Sequence, residues 1–107
     1  VVRAGKGGGV SAITKSAKGQ DCQIRIIGVC NHNPETTVWC HLSGSAAGKG
    51  IGMKAIDLLG AYGCFACHEV VDRRRAAPLG MTRQDVESDF AKGHYRSLVI
   101  LDEKGLI

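Results

Sequence analysis

Two cysteine pairs constrain this chain more than any other feature. Cys64 and Cys67 are separated by two residues and followed at once by His68, while Cys22 and Cys30 enclose seven residues upstream. The tight Cys-x-x-Cys spacing lets both sulfurs reach one tetrahedral ion, and the looser pair can supply the other two ligands. Four thiolates close a zinc shell and leave no position for substrate, so a zinc held there is architectural. The chain needs such a staple. Its 107 residues suffice for one domain, with 15 glycines and 5% aromatics to build it. Domains of this size bury only about two thirds of their unfolded surface. The competing assignment makes Cys22 and Cys30 small buried side chains, a common fate of free cysteine. Cys40, the fifth, reads as packing. With an odd count and no export signal, metal binding is expected in place of a disulfide framework.

The segments between the cysteines read as a small α+β fold. Residues 11 to 20 form a short helix ending at Lys18-Gly19, where glycine suits the left-handed C-terminal position. "DCQIRIIGVC" alternates as a strand with Ile24 and Ile26 on one face and Arg25 on the other. "NHNPET" is turn chemistry, and the β-branched and aromatic "TTVWCHLS" is a second strand with His41 near its end. "AIDLLGAYGC" leads into the cysteines as a strand or hairpin arm, and a helix runs from Phe65 to Arg75, before Pro78. Thr82 caps a last helix that starts at Arg83, with Asp85 in the capping-box position. Val86, Phe90, His94, Leu98 and Leu101 make its buried stripe, which Gly93 weakens and Lys104-Gly105 ends.

Successive residues on a helix are turned by roughly 100°, so if Cys67 faces a zinc, His68 points elsewhere. Asp72 lies four residues on, along the same face, and the two present a nitrogen and an oxygen to one point. That is the donor set of an open catalytic site for a divalent ion. It is equally the pattern of a His–Asp pair that merely stabilises a helix surface. Arg73, Arg74 and Arg75 follow at once, suited to a phosphate backbone or to a solvated face. His41 stands where an imidazole from a strand end can take a proton from water, although a lone histidine is more often structural. His32 and His94 read as structural.

Net charge is +4, unevenly spread. Residues 1 to 20 carry Arg3, Lys6, Lys15 and Lys18 without an acid, and form a basic, glycine-rich segment ahead of a domain spanning 21 to 107. Basic patches on a nearly neutral body imply a polyanionic partner. No apolar run reaches the length of a membrane span, so the expected setting is cytoplasmic, without a membrane partner.

These residues together carry a resemblance. A strand-end histidine, a loop, Cys-x-x-Cys-His opening a helix and an upstream cysteine pair look like the zinc-stapled branch of the HNH, or ββα-metal, endonucleases. "DCQIRIIGVCNHNPETTVWCHL" followed by "CFACHEVVDRR" resembles the YbcO-like nucleases encoded by prophages, strongly over 21 to 42 and 57 to 74 and more loosely to the C-terminus. The resemblance implies a zinc-stapled ββα-metal domain with an added C-terminal helix. It implies DNA phosphodiester hydrolysis in the bacterial host cell, in company with phage recombination or replication proteins. His41 matches the general base. His68 and Asp72 match ligands of a catalytic magnesium, manganese or other divalent ion, and Cys22, Cys30, Cys64 and Cys67 match the structural zinc site. The asparagine that normally orients the base is replaced by Leu59, leaving Asp57 as the nearest polar candidate. Cys40 replaces the acid or histidine that often precedes the base and binds the ion.

Two further readings use the same residues. A non-catalytic zinc module would bind DNA or a protein through the arginines. A c-type haem protein would use Cys64, Cys67 and His68 for attachment, with Met53 or Met81 as axial ligand.

Overall fold

The computed structural model describes residues 12–42 and 58–107. Arg3, Lys6, Met53 and Asp57, singled out above, lie outside the described residues. The described elements are α1 (Ala12–Lys15), a 3-10 turn (Pro34–Thr36), β1 (Val38–His41), β2 (Gly60–Gly63), α2 (Phe65–Val71) and α3 (Arg83–Glu103). The small α+β character expected from the sequence is present, with a two-stranded sheet as its only described sheet.

β1 and β2 pair antiparallel, with Val38 opposite Gly63 and His41 opposite Gly60. Side chains alternate along β1, and this splits the core in two. Cys40 joins Ile24, Ile26, Val70, Val86 and Phe90 on one side. Trp39 joins Tyr62, Ala17 and Leu101 on the other. The Trp39 and Tyr62 rings meet edge to face at 5.1 Å. The Tyr62 hydroxyl also lies 2.7 Å from Ser16 Oγ, tying the residues after α1 to the sheet.

The outer edge of β2 is covered. Its Tyr62 N–H donates to Ser97 Oγ at 3.0 Å, and its carbonyl accepts from Gln23 N–H at 2.8 Å. Ser97 lies on α3 and is fully buried. The helix comes this close because Gly93 has no side chain: a Cβ there would stand 2.9 Å from Gln23 O and 2.9 Å from Ile24 Cα. Gly93 is thus a packing requirement where the sequence suggests a weakness. The expected cap is present, and of the expected stripe His94 and Leu98 are only part-buried, Gly93 and Ser97 being the buried positions beside them. Thr82 Oγ1 accepts from Asp85 N–H at 3.1 Å, and Asp85 Oδ2 accepts from Thr82 N–H at 2.8 Å. Val86, Phe90 and Leu101 are buried, and Gly105 ends the helix at φ 74°.

Two segments differ from expectation. Residues 21 to 30 form no strand, although Ile24 and Ile26 are buried and Arg25 is exposed as the alternation implies. The chain turns at Arg25 (φ 56°) and Gly28 (φ 84°). The Arg25 and Ile26 N–H groups go to sulfur, as described below, and those of Val29 and Cys30 go to Ile26 O, so these groups need no strand partner. α2 stops at Val71, short of Arg75, because Asp72 is its cap and Arg73 adopts φ 65°. Arg83 adds side-chain donors at that end. Its guanidinium donates to Val70 O at 2.8 Å and also to Val71 O. Among the described residues, no helix is long and apolar enough to cross a membrane.

Candidate metal centres

Cys22, Cys30, Cys64 and Cys67 converge, with their four sulfurs within 4.8 Å of one another. All four are free thiols. Cys64 caps α2, and its sulfur accepts from Cys67 N–H at 3.4 Å. Three more backbone N–H groups aim at these sulfurs: Arg25 at Cys22 (3.4 Å), Ile26 at Cys67 (3.4 Å) and Asn31 at Cys64 (3.5 Å). Donors arranged around sulfur favour its charged form, which is the form that binds metal. This is the local reason that residues 22 to 31 run as turns: each turn offers a sulfur, an N–H group or both. A hydrogen bond from Cys67 outweighs burial and pushes the Cys22 thiol down to about 4, with the Arg25 N–H assisting. Cys67, which carries the shared proton, is pushed upward. Burial pushes Cys30 up to about 11. The donor set, its spacing and its N–H support fit a tetrahedral zinc.

A second cluster lies beside the first. Cys40 Sγ, a His68 ring nitrogen and an Asp72 carboxylate oxygen lie within 4.8 Å of one another. Cys40 comes from the centre of β1 and is fully buried, whereas His68 and Asp72 keep 25% and 29% of their side-chain surface open to solvent. Burial pushes the Cys40 thiol up; the Asp72 carboxylate adds to that rise, while Arg74 opposes it. His68 Nε2 lies 3.0 Å from Asp72 Oδ2. Arg74 Nη2 lies 3.3 Å from His68 Nδ1 and 3.4 Å from Asp72 Oδ2. A guanidinium only donates, so Nδ1 accepts and Nε2 carries the proton shared with Asp72. This arrangement concentrates acceptor atoms around a single cationic group at a partly open mouth.

The remaining candidates are placed as follows. His41 ends β1, partly buried, directly after Cys40. It follows the strand residue that supplies the second cluster's thiol, and it is not itself one of the three groups gathered there. Arg73 is exposed, whereas Arg75 chelates Glu69 Oε1 through Nε (3.0 Å) and Nη2 (2.7 Å). Lys15 and Lys18 are exposed around the end of α1. His94 donates from Nδ1 to Gly60 O at 2.6 Å, and His32 lies 3.7 Å from Cys30 Sγ. The haem alternative does not fit, because Cys64 and Cys67 are fully buried against the other two thiols. Cys40 is the residue that the sequence reading assigned to packing, although the resemblance placed it where an acid or histidine often binds the ion. The available signal was its place one residue from Trp39 in an alternating strand, which turns it toward α2.

An antiparallel strand pair leading into a helix, with four thiols gathered at the junction, defines a small α+β domain built around a candidate metal cage. The chain belongs to the family described as "Putative nuclease YbcO", whose profile matches residues 11–106. It is 47% identical over 62 residues to the proteins of that name from Escherichia coli strain K12 and from Enterobacteria phage 82. That stretch is 58% of this chain and spans 64% of each relative's length. A solved structure from Escherichia coli K-12, titled as a putative bacteriophage protein, superposes with a TM-score of 0.70 at 35% identity. It covers 87% of this chain and 99% of its own.

Proposed function

We propose that this chain is a metal-dependent endonuclease of the HNH, or ββα-metal, type that hydrolyses phosphodiester bonds in DNA in the bacterial cytoplasm. The family name supports a nuclease. The observation that carries the hydrolytic reading is the pairing of a sealed four-sulfur cluster with a partly open His68–Asp72 pair on the next turn of the same helix. In this reading the cage holds a structural zinc and fixes the start of α2. His68 and Asp72 hold a second divalent ion. That ion supplies positive charge to the scissile phosphate and the leaving oxygen.

The other roles fall to the chain's own groups. His41, at the end of β1, takes a proton from the attacking water; its support is its position beside Cys40 and its resemblance to the family's base. Arg73, exposed to solvent, contacts the phosphate backbone, together with Arg74, Arg75, Lys15 and Lys18. Arg3 and Lys6, and Asp57 as a partner for the base, belong to the same reading from sequence alone. Phosphate contacts carry no base information, so recognition follows DNA shape and weakens steeply with salt. Phage recombination or replication proteins are the fitting company for such an activity.

The test is conversion of supercoiled plasmid to nicked or linear forms by the intact, zinc-loaded chain with added divalent ion. Wild type is expected to cut and His68→Ala to lose cutting while keeping its fold. Equal cutting by both removes His68 from the reaction. A second reading, a non-catalytic zinc module, draws on the contact of Arg74 with His68 and Asp72, which already neutralises their acceptor atoms. Absence of cutting with every divalent ion tried supports that module.

A further inference from the structure

We propose that Cys40 is the third ligand of the second centre, and that its sulfur makes this a site for a thiophilic divalent ion such as zinc or cobalt, not magnesium. The inference rests on the reading of His68 and Asp72 as an ion site. It adds the ligand that sets which ion enters.

Cys40 is held in place by the strand. Its register against Ala61 is fixed by the hairpin, and its side chain has no solvent exposure. Its Sγ nevertheless lies within 4.8 Å of donor atoms on His68 and Asp72, two residues that reach outward to solvent. A thiol placed only for packing has no need to share a pocket with an imidazole and a carboxylate. The position of Arg74 points the same way. Its Nη2 sits between His68 Nδ1 and Asp72 Oδ2 and adds a positive charge near Cys40. A metal ion entering that position takes over the charge. It would be held by a His68 ring nitrogen, an Asp72 carboxylate oxygen and the Cys40 sulfur, whose proton passes to solvent as the thiolate forms. Arg74 is then released toward solvent.

The donor types decide the ion. Magnesium prefers octahedral oxygen ligands and keeps much of its water, so one carboxylate with sulfur and nitrogen suits it poorly. Zinc and cobalt accept mixed sulfur, nitrogen and oxygen shells. Three protein ligands also leave a position open, unlike the closed four-sulfur cage.

The experiment titrates the intact chain, its cage already filled with zinc, with cobalt(II) and follows absorption. Wild type is expected to develop a sulfur-to-cobalt charge-transfer band that saturates at one equivalent and survives a large excess of magnesium. Cys40→Ser should show no such band and bind cobalt roughly tenfold or more weakly. His68→Ala, at a partly exposed position, should also lack the band, which keeps the test decisive if Cys40→Ser fails to fold. Identical spectra for wild type and Cys40→Ser, or displacement of cobalt by magnesium, overturn the proposal. Equal magnesium-supported plasmid cutting by wild type and Cys40→Ser would end this proposal but leave the nuclease reading standing. A cobalt band on a chain that cuts no DNA does the reverse.

Discussion

Cys67 and His68 are adjacent in the chain and belong to different clusters. The Cys67 sulfur lies with Cys22, Cys30 and Cys64, while the His68 ring lies with Cys40 and Asp72. The cause is the rotation of roughly 100° per residue along α2, which sends neighbouring side chains to different neighbours. One short helix therefore borders a sulfur-only cage, buried except at Cys30, and a partly open mixed cluster.

The cage is expected to carry the fold. Structural zinc sites contribute on the order of 10 kcal/mol, comparable with the whole stability of a small domain. Cys64→Ser, or removal of metal with a chelator, should abolish the cooperative thermal transition and the sharp amide spectrum of the native chain. A chelated protein that melts at the same temperature as the metal-loaded one contradicts this.

Gly93→Ala separates helix propensity from packing. In an exposed helix the change would stabilise by up to about 1 kcal/mol. Here the new methyl meets the backbone of Gln23 and Ile24 at 2.9 to 3.0 Å. A net loss of about 1–3 kcal/mol is expected in chemical denaturation. A gain in stability would show that α3 can move off the sheet edge.

Ser97 closes the hydrogen-bond account of β2. It accepts from Tyr62 N–H and donates to Gly93 O at 2.6 Å. Ser97→Ala leaves a buried N–H without its partner, at a cost of about 1–3 kcal/mol. Denaturant midpoints with an unchanged slope will measure it; no shift would mean that another acceptor takes over.

Arg83 links α3 to the end of α2 that carries Asp72. Arg83→Met keeps its aliphatic stem and removes the donors to Val70 and Val71 carbonyls. A loss of about 1.5–3 kcal/mol is expected. Faster amide exchange should appear at Asp72 and Arg74, whose N–H groups bond to His68 O and Glu69 O. Unchanged exchange there would show that the helix end holds without this cap.

Much of this arrangement is legible in the sequence because it depends on local rules. The capping box at Thr82 and Asp85, the strand nature of 38 to 41 and the divergence of Cys67 from His68 follow from spacing and side-chain type alone. What escaped depends on contacts made elsewhere. Residues 24 to 26 alternate in burial like a strand, but the Arg25 and Ile26 N–H groups are taken by the sulfurs of Cys22 and Cys67, which only the assembled cage reveals. Gly93 looks like a defect until the backbone of Gln23 and Ile24 is placed against it. α2 looks longer than it is, because its end is set by Arg83 from the next helix. Cys40 has no partner nearby in sequence; its neighbours at 68 and 72 meet it only after the hairpin forms.

The claim that two separate metal centres share α2 is tested most directly by counting metal on the intact chain with native mass spectrometry, after saturation with zinc. Wild type is predicted to hold two ions, and His68→Ala to hold one while keeping its thermal transition. A single ion in saturated wild type, or loss of both ions in His68→Ala, would contradict the account.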